Sequence, residues 1–343
     1  WWAIAEALAE GSAAWELLRG VVVEEAHQAR ERAFLLLGLV YPIRPMLALI
    51  DTLARPPEGK RANAIELVDE LIDQTLRRML MPLLDDLDTG ERVARGKELF
   101  PLVVQSGVDW CRYFLRAEDR WLTLCCLNTA GRLGDARLLG DVRSLLESPD
   151  ALVREEAVCA LAHLLDDTQW ASVAREAAGD PAPAVRRLVE ARCGGGTPMI
   201  SSVDKVLFLK KVALFSQLPS RELLNLASIA QEVSYPESSV LLREGDEGDS
   251  LYLILSGEVA VQTGGRTIAV LGPRECVGEM AILDREPRSA TVVALDHVTA
   301  LRIERDSFYE VLAQKREIAL GIIRILVRRL RGANIRPEEP ESA

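Results

Sequence analysis

Histidine is almost absent from this chain and cysteine is sparse. Its 343 residues include three histidines and six cysteines, with no CxxC pair. That spacing makes neither a disulfide scaffold nor a thiolate zinc site, and the chain reads as thiol-reduced and intracellular. His27, His163 and His297 are scattered, so no Ser/His/Asp set can be assembled from them. A jelly-roll metal site needs several histidines, and only His297 follows residue 163. No metal and no enzymatic activity are expected. Basic charge is also in deficit, with 41 Lys and Arg against 52 Asp and Glu and a net charge of −11. A general nucleic-acid binder would carry the opposite balance, so no nucleic-acid partner is expected. Long apolar runs are missing too. The most apolar stretch, residues 34–50, is interrupted by Pro42, Arg44 and Pro45, where a membrane span needs about 20 apolar residues in a row. No secretory leader is visible. The first residues are Trp1-Trp2 rather than Met, which reads as a trimmed chain. A cytoplasmic location is expected, with a tether through an upstream membrane domain as the alternative.

What is present suits a folded protein. Hydrophobic residues make up 49% and charged residues 27%, and the length predicts two domains or three. The pattern changes near residue 195. Before it, apolar residues recur at helical spacing. After about residue 235, short Val/Ile/Leu/Tyr runs alternate with Gly, Asp, Pro and Ser. Gly194-Gly195-Gly196-Thr197-Pro198 lies between and reads as a linker.

The first part carries a weak repeat. Helices are predicted to open at Arg120, Arg154 and Arg186, at spacings of 34 and 32 residues. Their apolar faces are Leu124, Leu127 and Ala130 in the first, and Val153, Ala157, Ala160, Leu161 and Leu164 in the second. Residues from Arg61 look like an earlier member. Partner helices carry Leu138, Leu139, Val142, Leu145 and Leu146, and then Trp170, Val173 and Ala174. Paired helices at this period predict an α-solenoid, because one pair cannot bury its own apolar face. A plain helical bundle is the alternative. Over residues 20–192 the pattern resembles HEAT-type repeats, with a Pro or Asp before the first helix and an Arg early in it. Residues 1–19 and 24–40 are each predicted as helices.

The second part predicts two short helices over residues 206–232, with Ser220 placed to cap the second. Strands follow at 240–243, 251–255, 259–261, 267–271, 291–294 and 300–303, with a hairpin at Gly264-Gly265. A long helix is expected over 306–331. Seven or so strands flanked by helices suggest a β-roll or jelly roll.

One segment carries chemistry: Gly278-Glu279-Met280-Ala281-Ile282-Leu283, a short stretch, then Pro287-Arg288-Ser289-Ala290-Thr291. A glycine after a strand lets backbone approach a ligand closely. One helical turn beyond it offers free N–H groups to an anion. An Arg nine residues past the Glu can face the same anion as a charge-assisted donor. The Glu279 carboxylate repels a phosphate and is useful only to a ligand that also offers a hydroxyl. A phosphate joined to a free sugar hydroxyl meets every demand.

This segment resembles the phosphate-binding cassette of the cyclic nucleotide-binding domain family, whose pattern is close to F-G-E-x-A-L followed by P-R-x-A-T-V. Residues 206–331 are similar to that domain throughout, and Gly245, Gly248 and Gly257 suit its strand turns. The resemblance implies that Glu279 accepts the ribose 2′-hydroxyl and Arg288 pairs with the cyclic phosphate. It implies that the N–H groups of Gly278, Met280 and Ala281 cradle that phosphate, with Ser289 and Ala290 beside the phosphate or base. It implies a lid from the last helix, through Ile322, Ile323 or Leu326. Val277 replaces the family's usual aromatic residue. Ser289 stands where members have Ala or Thr, which leaves cAMP favoured over cGMP without excluding the latter.

The domain plan is therefore HEAT-like helices over 1–192, a linker over 193–205, the cyclic nucleotide-binding domain over 206–335 and a disordered tail over 336–343. The expected function is a cyclic nucleotide sensor that signals through its last helix to the helical repeats, where a protein partner would bind, or to an upstream effector. Similar solenoid-plus-sensor regions are attached to some bacterial transporter-like membrane proteins. The alternative is a protein-interaction scaffold whose β-roll has lost its ligand. Other signals are discounted. Gly59-Lys60-Arg61 resembles the end of a P-loop, but Ala54 occupies the first glycine position. Cys125-Cys126 read as small core residues. Asp85-Asp86 and Asp166-Asp167 read as solvated turns. Arg324, Arg328, Arg329 and Arg331 read as the solvated face of a helix, with a membrane or partner contact as the alternative.

Overall fold

The computed structural model describes residues 1–9, 13–54, 65–66, 70–85, 87–100, 105–194, 200–216, 218–284, 286–314, 318–320, 322–323 and 327. Residues 61–64 of the early repeat member, the Gly59–Arg61 segment, Gly195–Pro198, Leu326, the arginines Arg324, Arg328, Arg329 and Arg331, and the tail lie outside these residues. The chain packs as two units, Trp1–Ser144 and Leu145–Ala343. A sequence-based boundary falls near residue 193, whereas packing divides the chain earlier.

The first unit is helical: α1 Trp2–Ala7, α2 Glu16–Leu37, α3 Ile43–Ala54, α4 Gln74–Leu84, α5 Thr89–Leu99, α6 Gly107–Leu115, α7 Arg120–Leu133 and α8 Leu139–Ser144. Side chains of Asp73, Asp88, Ser106 and Asp119 each accept a backbone N–H in the first turn that follows, satisfying donors that a helix start leaves open. Every residue of α7 from Trp121 to Gly131 is buried, the mark of a helix packed on all sides. Leu124, Leu127 and Ala130 are among them, as the spacing predicts. One expectation fails here. The two helices expected at residues 1–19 and 24–40 are divided differently, because α2 runs unbroken through Gly20. Burial of Leu18, Val21 and Val22 outweighs the cost of about 1 kcal/mol that glycine imposes inside a helix.

The second unit opens with α9 Ala151–Leu164, α10 Asp167–Ala177 and α11 Pro183–Gly194. Arg154 donates to the carbonyls of Ser148 and Pro149, and Arg186 to those of Asp180 and Pro181. The same bond pattern thus recurs 32 residues on, five and six residues before each arginine. Arg154 also grips Asp180 through two bonds of 2.7 and 3.0 Å, and this pairing holds the Asp180 carboxyl below its ordinary range.

Two helices follow, α12 Ser202–Leu209 and α13 Ser220–Ile229. The start of α12 is closed from outside. Glu155 of α9, 6% exposed, accepts both the backbone N–H and the hydroxyl of Ser202 at 3.2 and 2.8 Å. Fully buried Glu156 faces the N–H of Val203 at 3.5 Å, and Ser201 Oγ takes that of Asp204 at 3.1 Å. Carboxylates there meet both the open donors and the positive end of the helix dipole. This explains why α12 begins at Ser202 rather than 206. Ser220 does not cap α13; it is the first helical residue, and Pro219 precedes it.

Among the described residues, eight strands form two antiparallel sheets, in orders β1-β8-β3-β6 and β2-β7-β4-β5. Their ranges are β1 Gln231–Tyr235, β2 Val240–Leu242, β3 Ser250–Ser256, β4 Val259–Thr263, β5 Arg266–Leu271, β6 Cys276–Val277, β7 Thr291–Ala294 and β8 Val298–Glu304. The inner faces share one core that includes Leu241, Tyr252, Ile254, Val259, Val277, Val292 and Ala300. Gly264 and Gly265 both have positive φ, 55° and 80°, as a two-residue hairpin turn requires. Strand β1 replaces the end of the expected second helix, because residues 231–235 pair in register with β8. Helices α14 Glu279–Asp284 and α15 Arg305–Gln314 complete the description. Strands followed by one helix agree with the fold read from sequence, while the solenoid geometry of the first part remains a proposal.

Replacing Glu155 by Ala strands two donors of Ser202 in a buried place. A loss of about 1–3 kcal/mol is expected, read as a lower urea midpoint at unchanged slope. An unaltered midpoint would contradict the capping role.

Candidate functional site

The site forms where β6 leaves its sheet. Val277, buried on β6, pairs with Tyr252 of β3. Gly278 then adopts φ +83° and turns the chain into α14. A Cβ at this position would collide with the Arg288 guanidinium and lie 3.0 Å from the Ser250 carbonyl oxygen. Both conformation and space therefore demand glycine.

Arg288 lies in the loop that returns to β7, and its backbone is tied at both ends. Its N–H donates to Asp246 at 2.8 Å, and its carbonyl accepts from Gly245 at 2.9 Å. Gly245 sits at φ +85° in the turn between β2 and β3. The Arg288 side chain is 4% exposed. It donates to the Ser250 carbonyl at 2.6 Å and the Gly278 carbonyl at 3.1 Å, with the Asp249 carboxylate 3.5 Å away. Burial lowers its proton affinity, and Asp249 opposes that shift. Arginine stays charged even so. Two of its five N–H groups serve these carbonyls, leaving donors for an anion.

A cavity of about 260 Å³ lies against these groups. Its apolar wall includes Leu242, Val261, Leu271, Val277 and Val292. Its polar rim includes Gly278, Glu279, Arg288 and Ser289, with Met280 and Ala290 alongside. Glu279 is half-buried at the first position of α14. Ser289 is exposed, as is Met280. The first-turn N–H groups of a helix such as α14 have no intrahelical acceptor. Seven of the eight residues singled out from sequence line this cavity, and the eighth, Ala281, belongs to α14. Of the expected lid, Ile322 is buried and Ile323 is half-exposed or more, and neither lines the cavity.

Ser250, Asp246 and Asp249 are the site residues that sequence reasoning missed. Ser250 and Asp246 act through main-chain oxygens, which no side-chain pattern reports. Asp249 had only its place in the Gly/Asp-rich turn to mark it.

A two-sheet sandwich with a buried arginine, a glycine turn and an open-ended helix at one small cavity defines a domain built for a small anionic ligand. Residues 232–315 match the cyclic nucleotide-binding domain family, and this part of the chain belongs to it. The chain is 30% identical over 131 residues to a CRP-like cAMP-activated global transcriptional regulator of Mycobacterium tuberculosis, covering 37% of this chain and 58% of that protein. It is 35% identical over 117 residues to a cAMP-dependent protein kinase regulatory subunit of Aspergillus niger, covering 32% of this chain and 28% of that one. The chain thus spans between about a quarter and three fifths of these relatives. Among solved structures, the N-terminal domain of a transcriptional regulator from Streptomyces coelicolor is 32% identical, with a TM-score of 0.35. It covers 39% of this chain and 99% of that one.

Gly278→Ala should lower stability by at least about 1–2 kcal/mol, the cost of a side chain in left-handed backbone. A chemical denaturation curve superimposable on that of the parent would refute the fit drawn here.

Proposed function

We propose that the chain is a non-enzymatic cyclic nucleotide sensor that prefers cAMP. The observation that carries this reading is the Arg288 guanidinium, buried at the cavity wall with donors to spare, beside the glycine turn and the start of α14. Arg288 pairs with the cyclic phosphate. The N–H groups of Gly278, Met280 and Ala281 bind the same group, as a helix start favours an anion. Glu279 accepts the ribose 2′-hydroxyl. Its carboxylate has no hydrogen bond or ion pair to another described residue that would compete. The base rests against the apolar wall, beside Ser289 and Ala290. The names of the two relatives described above mention cAMP and support that ligand.

The signal leaves the site through packed elements of the second unit. Tyr309 of α15 donates to the carbonyl of Ile282 in α14 at 3.0 Å, and α15 packs on α13. Helix α13 packs on α12, whose first turn is held by Glu155 and Glu156. A shift of α14 is thereby felt at α9. Coupling of this kind typically amounts to about 1–3 kcal/mol. The repeated arginine–carbonyl pattern of Arg154 and Arg186 supports a HEAT-like reading of the helices and a protein partner on them. The net charge of −11 supports a partner other than nucleic acid, and the reduced thiols support a cytoplasmic site of action.

Calorimetry with cAMP and cGMP tests the reading. Saturable binding is expected, tighter for cAMP. Arg288→Ala should weaken it by about 2–5 kcal/mol, roughly thirtyfold to several thousandfold. No binding of either nucleotide at millimolar concentration favours the scaffold instead, and an unchanged affinity in the variant means the phosphate lies elsewhere.

A further inference from the structure

The connection between α2 and α3 exposes apolar side chains that the sensor reading leaves unused. Leu39 is 81% exposed and Val40 79%, and Leu35, Leu36, Ile43 and Leu47 are 43–64% exposed. All six fall within thirteen residues. Scattered exposed leucines are ordinary, but a cluster this dense marks a contact surface. The hairpin beneath is well built. Phe34, Met46 and Leu49 are fully buried in a core shared with Leu80 and Leu84 of α4. The exposed residues are thus the outer end of a packed element.

Two features say what fits on this end. First, the turn leaves few backbone donors open. The N–H groups of Gly38, Leu39, Val40 and Tyr41 donate to the carbonyls of Phe34, Leu36, Leu37 and Leu37, and Pro42 has none. Such a turn enters an apolar phase without the cost of bare N–H groups. Second, no charged residue lies between Arg32 and Arg44, and both of these are exposed. Arg32 stands 4.0 Å from the Glu25 carboxylate, so the guanidinium that can reach outward to a phosphate while the tip sinks below it is chiefly that of Arg44. A second copy of the chain is a poor occupant. A two-fold contact would bring this patch onto a copy of itself, and residues 33–47 hold no carboxylate to meet Arg44. No helix among the described residues is long and apolar enough to cross a membrane, so the contact lies on the bilayer rather than through it.

We propose that the α2–α3 hairpin tip, centred on Leu39 and Val40 and flanked by Arg32 and Arg44, inserts into the surface of an anionic phospholipid bilayer. The apolar residues supply the depth and the arginines the preference for negative headgroups. This surface does not depend on the nucleotide site, and its test is separate.

The test is flotation of the whole chain with vesicles, one set of phosphatidylcholine and phosphatidylglycerol at 3:1 and one of phosphatidylcholine alone. The chain should float with the mixed vesicles and less with the neutral ones. Leu39→Asp/Val40→Asp should weaken the partition at least about a hundredfold, since both side chains lose the free energy of leaving water. Arg44→Gln should reduce the preference for the anionic vesicles while keeping binding to the neutral ones. Circular dichroism checks that the variants fold. Failure of the parent chain to float with either vesicle overturns the proposal. So does equal flotation of the Asp pair. Sedimentation velocity that finds dimers abolished by the Asp pair, without flotation, assigns the tip to self-association and overturns it as well.

Discussion

A buried guanidinium is expensive unless its charge is met, and the sandwich is arranged around meeting that of Arg288. Two main-chain carbonyls do so, Ser250 at the start of β3 and Gly278 at the end of β6. These oxygens face one point only because β3 and β6 are neighbours in one sheet. The return loop must then deliver Arg288 to that point, and the Gly245–Asp246 turn fixes it there from both sides. Removing any one of these leaves a charge without its partners, which costs far more than the pair itself contributes. The glycine at 278 follows from the same constraint, since any Cβ would occupy the guanidinium's space. An anion arriving at the cavity then finds a cation already oriented, and little ordering is required of the protein on binding.

Much of this was legible in the sequence because side-chain identity and conformation coincide. Gly278, Glu279 and Arg288 are chemical choices, and their spacing places them around one cavity. The strands of residues 240–243, 251–255, 259–261, 267–271, 291–294 and 300–303 were marked by β-branched runs between glycines and acids. Other features left no such mark. Ile229-Ala230-Gln231 contains no breaker, so the helix seemed to run into what is β1, where only Val233 and Tyr235 alternate. Strand β6 is two residues long, too short for periodicity. Residues 20–23 fall between the two helices expected at 1–19 and 24–40, yet burial of Val21 and Val22 keeps them inside α2. The carbonyl of Ser250 would do its work beneath almost any side chain, so no residue pattern reveals it.

The Glu155–Ser202 contact uses the same physics with the sign reversed. There a carboxylate from one element meets main-chain N–H groups at the start of another, where Arg288 meets main-chain oxygens. Arg154 and Arg186 repeat the cationic version at successive helix starts, and Arg305 does so once more at the Gly248 carbonyl. Charged side chains bonded to backbone at element ends tie both position and direction, because the acceptor or donor is fixed by the chain's course rather than by a rotamer. Apolar packing alone tolerates sliding and repacking. Joints of the charged kind do not slide without leaving a group unsatisfied.

That difference decides how a small ligand can matter far from where it binds. An anion at Arg288 takes the donors that Ser250 and Gly278 leave open, so it bears on the same guanidinium that joins these two oxygens. Tyr309 ties the cassette to α15 through another main-chain oxygen, that of Ile282. The route from there to α9 ends on Glu155 and Glu156, buried and committed to α12. The first and last links are bonded, Tyr309 to Ile282 and Glu155 to Ser202, while α15 on α13 and α13 on α12 are packed contacts between them. Soft packing would absorb a sub-ångström shift. A charged or main-chain bond passes such a shift on or opens, and the signalling proposed above draws on that two-way choice at its bonded ends.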